Sequence, residues 1–256
     1  MSRARLTPDL TGRLALVTGA SGKLGPVWIG ALAEAGARVV GVDVRPGEIE
    51  GANSVEVADV TNRDSLLALR ERIGTPDVLI NNAGIDQPPS GDGGSAAIED
   101  IPFDDFKRVL DVNLAGTFLA TQVFGSAMRD VGRGSVVNIG SLYATIAPDP
   151  AMYDHLDLDP PFLKPPAYGA SKAGVVSLTR YFARLWGPHG VRVNALSPGG
   201  VLGEQDPEFL RKFTARTPLR RLAEPDDLTG PLLFLASDSS SYVTGHELRV
   251  DGGFTA

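Results

Sequence analysis

The sequence predicts an α/β protein: a three-layer, doubly wound parallel sheet of about seven strands, with helices on both faces. Two observations carry this. Seven short apolar runs alternate with longer amphipathic stretches from one end of the chain to the other. Strand and helix alternating at this spacing imply right-handed crossovers, and therefore parallel pairing. Three Pro- and Gly-rich stretches, Gly84 to Pro102, Leu142 to Pro166 and Ser197 to Pro207, each follow a predicted strand. They should gather at the carboxyl edge of the sheet, where open α/β folds bind ligands.

Taken in order, the expected strands are Leu14–Thr18, Arg38–Asp43, Ser54–Ala58, Val78–Asn81, Ser135–Gly140, Val191–Leu196 and Glu247–Val250. Each is short and apolar, as strands covered on both faces are. Between them, Leu24–Ala35, Arg63–Ile73, Phe103–Arg129, Ala167–Trp186 and Pro225–Ala236 carry helical patterning. No linker or internal repeat divides the chain, so residues 1–256 are expected to form one domain, with substrate loops at 142–166 and 198–224.

Composition narrows the function. The 256 residues are 43% hydrophobic, ample for a buried core, and the net charge of −7 argues against a nucleic-acid or acidic-membrane partner. The chain has no cysteine, which removes disulfides, thiolate nucleophiles and cysteine-ligated metals; no metal site is expected. The first dozen residues hold Arg3 and Arg5 but no apolar core of signal-peptide length, and no segment approaches the ~20 apolar residues of a membrane span. A soluble, cytoplasmic protein is the expectation.

The first strand ends in Thr18-Gly-Ala-Ser-Gly-Lys-Leu-Gly25 and runs into a helix. Glycines there permit a tight turn and close backbone approach to a pyrophosphate, which would sit at the positive helix end, as in Rossmann-type dinucleotide sites. Gly19, Ser21, Gly22, Lys23, Leu24 and Gly25 are therefore candidate cofactor contacts. The second strand ends at Asp43, where a carboxylate would accept hydrogen bonds from the adenosine ribose and repel a 2′-phosphate. That favours NAD over NADP, although Lys23 and Arg45 are cations that could attract such a phosphate.

Tyr168 and Lys172 lie four residues apart in Tyr-Gly-Ala-Ser-Lys. On a helix they share a face. A neighbouring ammonium favours phenolate and should pull the Tyr168 pKa down, making the phenol a usable acid or base for an alcohol/carbonyl couple.

Together these motifs resemble the short-chain dehydrogenase/reductase family, compact type, over essentially the whole chain. Asn81-Asn-Ala-Gly84 matches the family's motif after the fourth strand, implying that Asn82, Ala83 and Gly84 line the cofactor cleft. Asp59 and Val60 match the adenine position, and Pro198, Gly199 and Val201, in Ser-Pro-Gly-Gly-Val, the loop that receives the nicotinamide amide. Asn113, Ser141, Tyr168 and Lys172 match the catalytic tetrad. The resemblance implies that Tyr168 carries the proton, Lys172 lowers its pKa and binds the nicotinamide ribose, Ser141 orients the substrate oxygen, and Asn113 holds a relay water. It also implies a homotetramer or homodimer paired through the helices at Phe103–Arg129 and Ala167–Trp186.

Three features depart from the family pattern. Glycines 19, 22 and 25 fall as G-x-x-G-x-x-G, where compact members carry G-x-x-x-G-x-G. Ser141 and Tyr168 are separated by extra residues, roughly 148–166, that would form either a lobe presenting Tyr153 or His155 to substrate or a surface excursion. Gly203 stands where a threonine is expected, leaving cofactor affinity lower or the contact to Glu204 or Gln205. Arg211, Lys212, Arg216, Arg220 and Arg221 would be either a substrate-anion site or a solvated helix face; His189 and His246 are expected to be structural.

The expected function is NAD(P)-dependent interconversion of a secondary alcohol and a ketone on a polar sugar, sugar-acid or polyol-like substrate. A 3-oxoacyl-thioester reductase is the alternative within the enzyme class, and a noncatalytic dinucleotide-binding protein the alternative outside it.

Overall fold

The computed structural model describes residues 7–86 and 97–256. Residues 1–6, which include Arg3 and Arg5, and part of the predicted Gly84–Pro102 loop lie outside the described residues. Seven strands, β1 (Leu14–Thr18), β2 (Arg38–Asp43), β3 (Ser54–Val57), β4 (Val78–Asn81), β5 (Gly134–Ile139), β6 (Val191–Pro198) and β7 (Glu247–Val250), form one sheet in the order β3-β2-β1-β4-β5-β6-β7. Every pairing is parallel. The chain winds outward from β1 through β2 to β3, then returns so that β4 pairs with the free edge of β1. The β1/β4 junction is thus the topological switch point, where the connections leave a crevice at the carboxyl ends of the strands.

Both faces are covered. Trp28, Ile29 and Leu32 of α1 (Gly25–Glu34) and Leu232 and Leu235 of α6 (Thr229–Ala236) share one core with Val17, Val39 and Ile80. On the other face, Leu66 and Leu69 of α2 (Arg63–Ile73), Phe124 of α3 (103–131) and Phe182 and Trp186 of α4 (Pro166–Trp186) bury Leu16, Leu79 and Val136. α2 starts where the Asn62 side chain accepts hydrogen bonds from the Asp64 and Ser65 amides, satisfying free donors of its first turn. α3 contains two π stretches, Asp111–Ala115 and Thr121–Gly125, flanked by helical backbone.

The stretch expected as loop 198–224 contains a helix, α5 (Pro207–Arg216), which is missing from the expected helices although the helix-face reading of its basic residues allowed for one. Its signals were present: Asp206 accepts from the Phe209 amide as a cap, Pro207 occupies the first turn, and Phe209 and Phe213 repeat at helical spacing. Phe213, Leu222, Leu142 and Met152 make a third, smaller core that fastens α5 to the 142–166 segment above the sheet edge.

Candidate active site

A cleft of about 950 Å³ opens along the carboxyl edge of the sheet, lined by Gly19, Gly22, Lys23, Leu24, Asp43, Asp59, Val60, Asn82, Ala83, Gly84, Ser141, Tyr168, Lys172, Pro198, Gly199 and Val201 among others. Residues predicted from separate motifs thereby converge on one cavity. Ser21, Gly25 and Asn113 of the expected set do not line it.

The wall at β1 is built by close approach. Gly19 has φ +64°, and a Cβ there would lie 2.6 Å from Ala83 Cα. A Cβ on Gly25 would lie 2.1 Å from the Ala20 carbonyl oxygen, so α1 can seat on the turn only with glycine at that position. Asn82 ties the turn to β4, donating through Nδ2 to the Thr18 (3.2 Å) and Gly19 (2.9 Å) carbonyls while Oδ1 accepts from Trp28 Nε1 at 2.8 Å. The result is a bare-backbone cradle at the amino end of α1, a surface that fits a dinucleotide pyrophosphate.

At the end of β2, Asp43 is 9% exposed; its carboxylate accepts from the Ser21 amide at 3.0 Å and the Arg45 amide at 3.2 Å. Ser21 thus meets Asp43 through its amide and does not line the cavity. Arg45 reaches to 3.7 Å of the same carboxylate and is 72% exposed. Asp59 accepts from both the amide and the hydroxyl of Thr61, which fixes its orientation at the cleft edge.

Tyr168 and Lys172 stand one turn apart on α4. Tyr168 and Ser141 line the same stretch of the cavity, and Ser141 Oγ accepts from the Tyr143 amide at 3.2 Å. Lys172 is 5% exposed, donates to the Ile139 carbonyl at 2.8 Å, and lies 5.7 Å from the Tyr168 ring centre. The expected direction of the Tyr168 shift is reversed: burial, then the negative charge of Asp86, push the phenol above its ordinary value, and the Ser141 side chain opposes them only in part. Burial also brings Lys172 down to about 8, with Asp86 opposing. The spacing that pairs the two groups is as predicted; their depth, which spacing does not encode, sets the direction of both shifts.

Asn113 lies outside the cavity lining. It is fully buried in the first π stretch of α3, accepts from the Ile85 amide at 2.8 Å, and donates to the Ile85 carbonyl (2.9 Å) and Ser171 Oγ (3.1 Å). Ser171 in turn donates to the Tyr168 carbonyl at 2.7 Å. Both Asn113 N–H bonds are thus used in joining the β4 turn to the helix that carries Tyr168, and its side chain does not face the cavity. Beneath it, Asn81 donates to Thr121 and Asn138, each at 2.8 Å, and Asn138 to Thr179 at 2.9 Å, a polar seam joining β4, β5, α3 and α4.

Beyond Tyr168 the cavity is polar and aromatic. Tyr143 sits edge-on to Tyr168 with centres 6.4 Å apart, and Lys164 Nζ lies 5.5 Å from the Tyr168 ring centre and 2.5 Å from Asp86. Tyr153, from the inserted segment, packs between Phe162 and Phe209 and lines the cleft. Asp86, Lys164 and Phe209 were not picked out as site residues from sequence. Lys164 stands in the extra segment and Phe209 on α5, so only tertiary packing brings them to the cavity that Tyr168 lines.

The basic cluster does not serve the cavity. Arg216 pairs with Asp149 at 2.5 Å, Lys212 with Asp154, Arg211 with Glu208 at 2.6 Å and Arg221 with Asp227 at 2.5 Å, while Arg220 donates to the Ala215 carbonyl. His155 is held by Asp206 at 2.8 Å, so of the two candidates in the insertion only Tyr153 reaches the site. These contacts make the insertion a lobe clamped to α5. His189 and His246 do not line the cleft.

Comparison with known proteins follows the same lines. Residues 13–153 match the short chain dehydrogenase family model, and residues 161–255 match the one described as enoyl-(acyl carrier protein) reductase. A galactitol 2-dehydrogenase of Rhizobium johnstonii is 36% identical over 265 residues, covering 96% of each chain. A short chain dehydrogenase of Leptospira borgpetersenii, solved with bound NAD+, superposes with a TM-score of 0.86 at 34% identity, covering 100% of this chain and 98% of that one. A gluconate 5-dehydrogenase of Burkholderia cenocepacia, solved with NADP and tartrate, gives a TM-score of 0.82 at 30% identity, covering 96% of each. Among the described residues, no helix is long and apolar enough to cross a membrane.

Proposed function

The chain belongs to the short-chain dehydrogenase/reductase family, and on that premise we propose that it interconverts a secondary alcohol and a ketone on a polyol, sugar or sugar acid, with NAD as the preferred cofactor. The observation that carries this is that Ser141, Tyr168 and Lys172 line one cleft whose other end is a glycine cradle. When bound, the nicotinamide supplies the hydride acceptor or donor. The chain's own part is to manage the proton and the oxygen. On reduction the Tyr168 phenol would give its proton to the substrate oxygen, and on oxidation its phenolate would take the proton of the substrate hydroxyl. Ser141 donates to the same oxygen where charge develops.

Lys172 would hold the nicotinamide ribose hydroxyls, and its charge one turn away would favour phenolate against the burial that raises the phenol. Asn113 is a positioning residue in this reading: through Ile85 and Ser171 it sets the height of α4 against β4. Asp43 would take the adenosine ribose, and its negative charge in a nearly closed site disfavours a 2′-phosphate; that supports NAD. Gly19, Gly22, Leu24, Asp59, Val60, Ala83, Gly84, Pro198, Gly199 and Val201 would provide the remaining contacts, all from the cavity wall.

The substrate class is supported by what surrounds Tyr168. The Asp86–Lys164 pair offers an acceptor and a donor side by side, and Tyr143 and Tyr153 add hydroxyls. A chain of hydroxyl groups can hydrogen-bond with all of these, whereas an acyl chain would desolvate them without supplying any partner, at about 1–3 kcal/mol for each hydrogen bond to water lost. The name of the Rhizobium relative points the same way. A panel of polyols, sugars, sugar acids, hydroxysteroids and 3-oxo-esters, read by nicotinamide absorbance with NAD and with NADP, tests this. The expected outcome is turnover with at least one polyol or sugar derivative and a higher kcat/KM with NAD. Turnover confined to oxo-esters would overturn the substrate class, and faster NADP turnover the role of Asp43.

We also infer a homotetramer or homodimer. Phe118 on α3 and Tyr181 and Leu185 on α4 are 37%, 62% and 49% exposed and apolar, the kind of side chains that a symmetric helix pairing buries.

A further inference from the structure

Lys23 and Gly203 are two positions at which the chain departs from the family pattern, and the structure places them against one another across the cleft. Lys23 lies in the glycine-rich turn, just before α1, and its Nζ donates to the Val201 carbonyl at 3.3 Å. A Cβ on Gly203 would stand 2.4 Å from that Nζ and 3.2 Å from Cε. Any other side chain at 203 would therefore have to displace the lysine. Gln205 completes the loop: Oε1 accepts from the Gly203 amide and Nε2 donates to Val201 O, each at 2.8 Å.

The electrostatics of Lys23 are unbalanced. An ammonium beside a helix amino terminus meets the positive end of the dipole, and the first turn of α1 holds no acidic residue to offset it. Among the described residues, no carboxylate pairs with Lys23; its hydrogen-bond partner is one neutral carbonyl. The cradle beneath it is the place for two phosphate charges. Lys23 also reaches toward the β6 side of the sheet, whereas Asp43 ends β2, with β1, β4 and β5 between those strands. It is therefore directed away from the adenosine ribose.

We propose that Lys23 and the 201–205 loop form a strap over the cofactor pyrophosphate, with Lys23 supplying the charge, Gly203 the passage for its side chain, and Gln205 the rigidity of the loop. This rests on the dinucleotide reading of the site. It assigns Lys23 to the pyrophosphate rather than to a 2′-phosphate, and it makes the bare position 203 a requirement of the lysine rather than a lost contact.

The test is a double-mutant cycle on binding alone. NADH is titrated by fluorescence, and ADP-ribose and adenosine by calorimetry, into wild type, Lys23→Ala, Gly203→Thr and the double variant. Lys23→Ala should weaken NADH and ADP-ribose about tenfold, the size expected for one charge-assisted contact, and leave adenosine unchanged. Gly203→Thr should weaken NADH about tenfold when Lys23 is present but less than about twofold when it is added to Lys23→Ala, because the two act as a unit. Gly203 does not have a positive φ, so the substitution does not strain the backbone; Gly203→Ala provides a smaller probe if the threonine variant folds poorly. Independent effects of the two substitutions, or a Lys23→Ala variant that binds NADH within about twofold of wild type, would overturn the strap while leaving the dinucleotide site intact. Wild-type protein that binds no NADH would overturn both.

Discussion

Tyr168 and Lys172 show how burial decides between opposing effects at one residue. Proximity to a cation lowers a phenol's pKa, but the ammonium here is directed to the Ile139 carbonyl, and desolvation raises the one group and lowers the other. The Lys172 shift has a consequence for stability. Its folded value is about 8 against 10.5 for the ordinary side chain, so between those values the unfolded chain binds more protons than the folded one. Stability contributed at this site therefore rises with pH across that window. The difference in unfolding free energy between wild type and Lys172→Met should move in favour of wild type by roughly 3 kcal/mol from pH 8 to pH 10.5, measured by denaturant titration. A difference flat in pH would contradict the burial of a titrating ammonium. The pairing of the two residues was legible because helical spacing puts positions i and i+4 on one face. The direction of their shifts was not, because it depends on how far α4 sinks toward β5.

At the scale of elements, the strands were legible almost to the residue. Parallel strands covered on both faces leave an apolar run that few other structures explain, and observed bounds differ from the expected ones by at most two residues, as at β6. Motifs at strand ends located the cleft for the same reason: topology brings every carboxyl end to one edge. The lobe was less legible. Asp149, Asp154, Arg216 and Lys212 look like solvated charges in sequence, and their pairing depends on α5 docking on the insertion. That docking brings Tyr153 and Phe209 into stacking contact and sets Lys164 beside Asp86. Lys164→Met is expected to raise KM for the polyol or sugar substrate about tenfold or more, as loss of a charged contact to substrate would, with NADH affinity unchanged. An unchanged KM would place substrate elsewhere in the cleft.

For the whole molecule, the exposed apolar faces of α3 and α4 are the feature that one chain leaves unexplained. Phe118 already packs against Phe182 at 6.0 Å, and Tyr181 meets the same ring edge-on, so the patch is continuous with the core beneath it. Light scattering of the purified protein should give twice or four times the mass of one 26.9 kDa chain. Tyr181→Glu should shift that mass downward, since a buried carboxylate without a partner opposes association. A monomer in the wild type would contradict the pairing. The switch point, the glycine cradle and the position of Tyr168 belong to one chain and were legible without reference to assembly.

The claim that joins these scales is that Tyr168 carries the proton while the rest of the cleft binds. The direct measurement is Tyr168→Phe, assayed for turnover on whichever substrate the panel identifies and, in the same preparation, for NADH binding by fluorescence titration. Turnover should fall by at least about a hundredfold, the low end of what a positioned general acid or base contributes, while the NADH Kd stays within about threefold. Wild-type-like turnover in that variant would contradict the account.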